Sequence, residues 1–94
     1  ILATGFPSNY NFKNFNKYKL FFTKFTKVRM FGSASYSLAL LSEGKVDAYY
    51  ESNINIWDIA AGLAIVQGAG GIINLESNNQ LVDAFVTNKV INIW

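Results

Sequence analysis

Two carboxylates, Glu51 and Asp58, lie seven positions apart in the stretch YYESNINIWDIAAG, among two tyrosines, a Trp and three isoleucines. One reading is structural. Glu51 closes a strand, and Asp58 caps the helix that IAAGLAIV begins, because a side-chain oxygen satisfies amides left free in a helix's first turn. The other reading is chemical. Two acids beside an anion-binding edge repel each other and the anion unless a cation intervenes. Magnesium takes one or two carboxylates plus waters and phosphate oxygens, and it can prime a water for attack on phosphorus. A third feature, Gly32-Ser33-Ala34, places small residues between a predicted strand and a predicted helix. Open amides and the helix dipole there suit an oxygen-rich anion. A tight start to the helix is the structural alternative.

Composition narrows the chemistry further. The 94 residues contain neither Cys nor His, which removes thiol nucleophiles, imidazole bases, disulfides and the usual zinc sites. Carboxylates and hydroxyls remain, and any metal should be hard and oxygen-bound. Only 15% of the residues are charged and 51% are hydrophobic, against roughly 25% charged in an average soluble domain. Part of the surface is therefore expected to meet another protein surface. The chain opens on ILA without an initiator Met, so it is expected to be a fragment or an excised domain. No signal peptide is visible, and a cytoplasmic setting is the default. The longest uncharged run, Ile59 to Leu75, is broken by glycines, a Gln and an Asn, which suits helix, turn and strand better than a membrane span.

The elements that must position these residues follow from periodicity. Ile1 to Thr4 reads as a strand that ends before Pro7. Phe12, Phe15, Phe22 and Phe25 then fall on one helical stripe, with lysines on the other faces. Basic residues interleaved with aromatics across 12–29 could bind single-stranded nucleic acid, but a core stripe with solvated lysines accounts for the same spacing and is preferred. Lys27 to Phe31 reads as a strand, and an apolar helix runs from the small residues at 32–35 to a stop at Gly44. Val46 to Glu51 alternates as a strand, Ile59 to Gln67 is helical, and Gly68 to Gly71 forms a close turn. Ile72 to Leu75 is a strand, Glu76 to Gln80 a polar loop, Ala84 to Thr87 a last strand, and Asn88 to Trp94 a final helical turn. Trp57 is expected in the core, as large aromatics are mostly anchors. Asp47 and Asp83 are taken as surface or turn acids. Strands alternating with helices predict a single α/β domain over 1–94, with a largely parallel or mixed sheet and flanking helices. In such sheets ligands gather at the carboxyl ends of strands, the edge to which Gly32-Ser33-Ala34, Glu51 and Asp58 all map.

The run RMFGSASYSLALLSEGKVDAYYESNINIWDIAAGLAIVQGAGGII closely resembles the C-terminal half of the inositol monophosphatase family of magnesium-dependent phosphatases. That family's pattern is roughly R-x-x-G-S-A, G-x-x-D-x-x-x-E, W-D-x-A-A-G and A-G-G, and ILATGFP is similar to a segment preceding that half. The resemblance implies the C-terminal portion of a layered α-β-α-β-α sugar-phosphatase fold. It implies Asp58 as a ligand of Mg2+, Glu51 as a contact to substrate hydroxyls, and Gly32, Ser33 and Ala34 as backbone contacts to substrate. Arg29 matches a family arginine on the substrate side or at an interface. The family's other metal acids lie in an N-terminal half, in E-E and D-P-x-D-G-T elements, and neither element occurs here. The usual acid before A-G-G is Gly68.

The expectation is therefore the C-terminal part of a magnesium-dependent phosphomonoesterase for inositol monophosphate or a related sugar phosphate, inactive alone. Its expected partners are the missing N-terminal half and a second subunit, since related enzymes are commonly dimers. The alternatives are a non-catalytic protein-docking module and nucleic-acid binding through 12–29.

Overall fold

A computed structural model describes residues 1–6, 15–78 and 81–88. The described chain runs β1 (Leu2–Thr4), α1 (Asn16–Lys24), β2 (Val28–Met30), α2 (Ala34–Ser42), β3 (Ala48–Asn55), α3 (Ile56–Gly68), β4 (Ile72–Asn78) and β5 (Leu81–Thr87). Five strands form one sheet in the order β2-β1-β3-β5-β4. The sheet is mixed: β1 runs parallel to both β2 and β3, whereas β5 runs antiparallel to β3 and β4. The parallel half carries the crossovers, and the antiparallel half is the β4–β5 pair packed on its edge.

Alternation along the strands sorts the core into two faces. Leu2 of β1 and Ala48 and Tyr50 of β3 join Tyr18 and Phe21 of α1 on one face. Ala3 and Tyr49 join Leu38 and Leu41 of α2, Ile59, Leu63 and Val66 of α3, and Ala84 and Val86 of β5 on the other. Helix, sheet and helix pair thus make three layers. The split follows from handedness. The connection from β1 outward to β2 and the one from β2 back to β3 travel in opposite directions, so right-handed crossovers put α1 and α2 on opposite faces. Neighbouring strands whose helices leave to opposite faces open a crevice at their carboxyl ends.

Several expectations change. The buried residues of α1 are Tyr18 and Phe21, with Phe15, Phe22 and Phe25 packed around them; Phe12 lies outside the described residues. The strand begun near Val46 does not stop at Glu51 but continues to Asn55, and α3 starts at once at Ile56. Asn55, not Asp58, caps α3, accepting the Trp57 amide at 3.0 Å. Trp57 is 83% exposed rather than buried. Glu76 to Asn78 belong to β4, not to a loop. Asn88 is not helical, and the rest of the expected final turn lies outside the described residues, as do Pro7 and Lys13. Gly68, expected to open the turn, is instead the last residue of α3, where a glycine costs the helix less than in its interior. No helix among the described residues is long and apolar enough to cross a membrane.

Candidate active site

A cleft of about 680 Å³ opens at the carboxyl ends of the three parallel strands. Thr4, Gly5 and Phe6 enter it from the end of β1, Met30 and Gly32 to Ser35 from the end of β2, and Glu51 and Asn53 to Asn55 from β3. Asp58 on α3 and Leu81 on β5 complete the described lining. Of the residues expected there, Gly32, Ser33, Ala34, Glu51 and Asp58 come together. Arg29 does not: it is exposed, donates to the Val28 carbonyl at 3.0 Å, and is not part of the lining.

The turn into α2 is built by Gly32, at φ +79°, which delivers Ser33 in extended conformation as the cap. The Ser33 hydroxyl accepts the Tyr36 amide at 3.2 Å, and the Ser33 carbonyl takes both the Ser37 amide and hydroxyl. The side chains of this turn are small, and Gly32 to Ser35 line the cleft at the mouth of α2. The mouth of α3 faces the same cleft through Asn55 and Asp58. Two helix N-termini, each carrying partial positive charge, therefore converge on one space.

Glu51 is half-buried and accepts the Tyr49 hydroxyl at 2.8 Å. Burial raises its carboxyl above the ordinary glutamate value, the Tyr49 hydrogen bond pulls it back, and the charge of Asp58 raises it again. Burial and then Glu51 push the Tyr49 phenol far up, so it stays a donor. Close approach explains Gly5: a Cβ there would sit 2.7 Å from Glu51 Oε1. Glu51 thus feels the charge of Asp58, with no Lys or Arg among the described lining residues. That donor set fits a hard divalent ion, although no group of three or more acids that could hold a metal is found among the described residues. Any ion held here draws further oxygens from elsewhere.

Sequence reasoning missed Thr4, Gly5 and Phe6, Met30 and Ser35, Asn53 to Asn55, and Leu81. The strand-end rule that located Glu51 applies equally to the end of β1, and would have found Gly5 and Phe6. Asn53 and Leu81 carried no such signal, because both depend on how β3 pairs with β5.

The sequence model described as the inositol monophosphatase family matches residues 3–89. Among curated relatives, the chain is 44% identical over 61 residues to an inositol-1-monophosphatase of Caulobacter vibrioides, covering 63% of this chain and 24% of that protein. It is 40% identical over 77 residues to the Nus factor SuhB of Salmonella typhimurium, covering 79% of this chain and 29% of that one. Among solved structures, the inositol monophosphatase from Anabaena superposes with a TM-score of 0.77 at 29% identity, covering 93% of this chain and 37% of the other. One from Zymomonas mobilis gives 0.77 at 26% identity, covering 93% and 36%. The chain thus spans only about a quarter to just over a third of the length of these relatives. With the family model matched over residues 3–89 and the fold shared with these solved structures, this chain belongs to the inositol monophosphatase family.

Proposed function

We propose that this chain is the C-terminal α/β domain of a magnesium-dependent phosphomonoesterase acting on inositol monophosphate or a related sugar phosphate. The remaining metal and phosphate ligands come from an N-terminal half, and the intact enzyme is a homodimer. The observation that carries this reading is the cleft itself: two carboxylates and two helix N-termini share it, with no basic side chain among its described lining. Acids alone would repel a phosphate, and amides alone would need no acids. Both together suit a phosphate bridged to a cation.

Asp58 is the residue that would hold Mg2+ from this chain, beside the mouth of α3. When bound, the ion supplies Lewis-acid polarisation of a phosphoryl oxygen and an activated water. Glu51, kept in place by Tyr49 and Gly5, orients a polyol hydroxyl. The amides of Gly32, Ser33 and Ala34 grip substrate oxygens. Arg29, outside the cleft lining, takes the interface role rather than the substrate one. On this reading Asp58 alone does not complete a metal site, and the chain by itself is inactive.

The test is a chimera in which this chain replaces the matching part of the Anabaena inositol monophosphatase. It should release phosphate from inositol 1-phosphate only with Mg2+, and Asp58→Asn should cost more than about 100-fold in turnover. A folded chimera that is inert, or an Asp58→Asn form as active as its parent, would sink the proposal. A second reading, docking onto another protein, is favoured by the apolar outer face of α3 and by relatives named as Nus factors. An inert chimera would favour it. Nucleic-acid binding through 12–29 is not favoured, because Phe15, Phe22 and Phe25 pack beside Tyr18 and Phe21 in the core rather than standing free to stack on bases; Phe12 and Lys13 lie outside the described residues.

A further inference from the structure

Asp83 has no place in the family resemblance and does not line the cleft, yet it holds the backbone on which the cleft depends. Glu51 pairs with Ala84 and Ile54 with Val82, so Ser52 and Asn53 of β3 together oppose the single residue Asp83 of β5. This is a β-bulge. Asn53 is the one non-glycine residue with positive φ among the described residues, at 55°. Extra residues in a bulge lose their ladder partners, and here side chains replace them. Asp83 Oδ1 accepts the Ser52 hydroxyl at 2.8 Å and the Asn53 amide at 2.9 Å. The Ser52 amide goes to the Tyr18 hydroxyl at 2.9 Å, which in turn donates to the Gly5 carbonyl at 2.9 Å. Lys17 of α1 donates to Asp83 Oδ2 at 3.0 Å.

The bulge matters because side chains of a strand alternate. In a regular strand Ile54 would face away from Tyr49; the extra residue reverses the parity and returns Ile54 to the core shared by Tyr49, α2 and α3. Asn55 is then placed to cap α3, and Asp58 falls in that helix's first turn. Glu51 before the bulge and Asp58 after it can share a cleft only while the bulge persists.

We propose that Asp83, braced by Lys17, is a positioning residue for this site: it fixes the bulge that sets Glu51 against Asp58. The inference rests on the phosphatase reading for its functional consequence, and on the bulge alone for its structural one.

Two measurements separate these. The first is amide hydrogen exchange by NMR on this chain, with the Leu63 amide in α3 as the gauge of global opening. Asp83→Ala should speed exchange at Asn53 at least about tenfold more than at Leu63. Asp83→Asn, which keeps an acceptor oxygen, should fall between. If Asp83→Ala does not fold, Lys17→Met should still speed Asn53 more than Leu63. Equal acceleration at both amides, or none at Asn53, overturns the positioning role. The second is the chimera, where Asp83→Asn should raise KM for inositol 1-phosphate about three- to tenfold with little change in kcat, as expected for misplaced substrate contacts. Unchanged KM beside a loosened bulge also overturns it. A parent chimera without turnover defeats the phosphatase reading instead, and exchange at Asn53 still decides the claim about the bulge.

Discussion

Glu51 shows what the candidate site costs the fold. Its carboxyl is held above the ordinary value by burial and by Asp58, so the folded chain binds its proton more tightly than the unfolded chain. Stability should fall as pH rises from the ordinary 4.5 through the folded value, because over that window the native state holds the extra proton. Asp83 runs the other way. Burial raises it, but the Asn53 amide, the Ser52 hydroxyl and Lys17 outweigh that and hold it below the usual 3.8. Its contribution is present above that value and is lost as pH falls through the folded one. Glu51→Gln keeps an oxygen for the Tyr49 hydroxyl while removing the charge. The variant should melt a few degrees above the parent at neutral pH, solvent screening the half-exposed group from a larger effect. Melting curves from about pH 4 to about pH 7 check this, since the gap should widen with pH. A constant gap would show that charge is not its cause. The same substitution should weaken the chimera's grip on inositol 1-phosphate.

Elements differ in how far local sequence can specify them. The helix α2 was legible from end to end: small residues open it, leucines at 38 and 41 face inward, and Gly44, at φ +77°, follows its close. So were the existence and order of β1, β2 and α3, and the edge on which Glu51, Asp58 and the 32–34 turn meet. The far end of β3 was not. An acid in an alternating run looks like a stop, and the bulge that carries the strand past Glu51 is held by Asp83, some thirty residues away. Asp58 precedes the apolar run and so has the position of a cap, whereas Asn55, three residues earlier, already fills that role. Packing between α2 and α3 hinges on the last residue of WDIAAG. A Cβ at Gly62 would lie 2.6 Å from Leu38 Cδ1 and 2.9 Å from Leu38 Cβ, so the helices cross closely only because Gly62 has none. Gly62→Ala should gain about 1 kcal/mol of helix propensity and lose about 1–3 kcal/mol to overpacking. A net lower urea midpoint with unchanged m-value is expected. A higher midpoint would mean that Leu38 moves aside at little cost.

For the molecule as a whole, the decisive feature is the side of α3 turned away from the sheet. Trp57 is 83% exposed and Ile65 57%, and with exposed Ala61 between them they form an i, i+4, i+8 row along the helix. Ala60 and Ala64 extend it, and Asp58 is the only charged residue on α3. Tyr36, on α2, is 54% exposed. A single exposed aromatic is ordinary, but a helix side with one charge is the kind of surface that partner proteins cover. The size of Trp57 points to burial, and burial here needs a surface that the described residues do not supply. On the proposed reading that surface is the N-terminal half, and the Anabaena chimera restores it. The chain has two tryptophans, so Trp94→Phe leaves Trp57 as the sole indole. In the chain alone its fluorescence should be that of a hydrated indole, readily quenched by iodide. In the chimera it should move to the blue and resist quenching. Trp57→Ser tests the energetic side, because the 83% exposed indole gives up little packing among the described residues but its loss should weaken the chimera by about 2 kcal/mol or more if it is an anchor. Emission and quenching that stay the same would mean that the row on α3 faces water in the intact enzyme, and the apolar surface would then point to a separate protein partner.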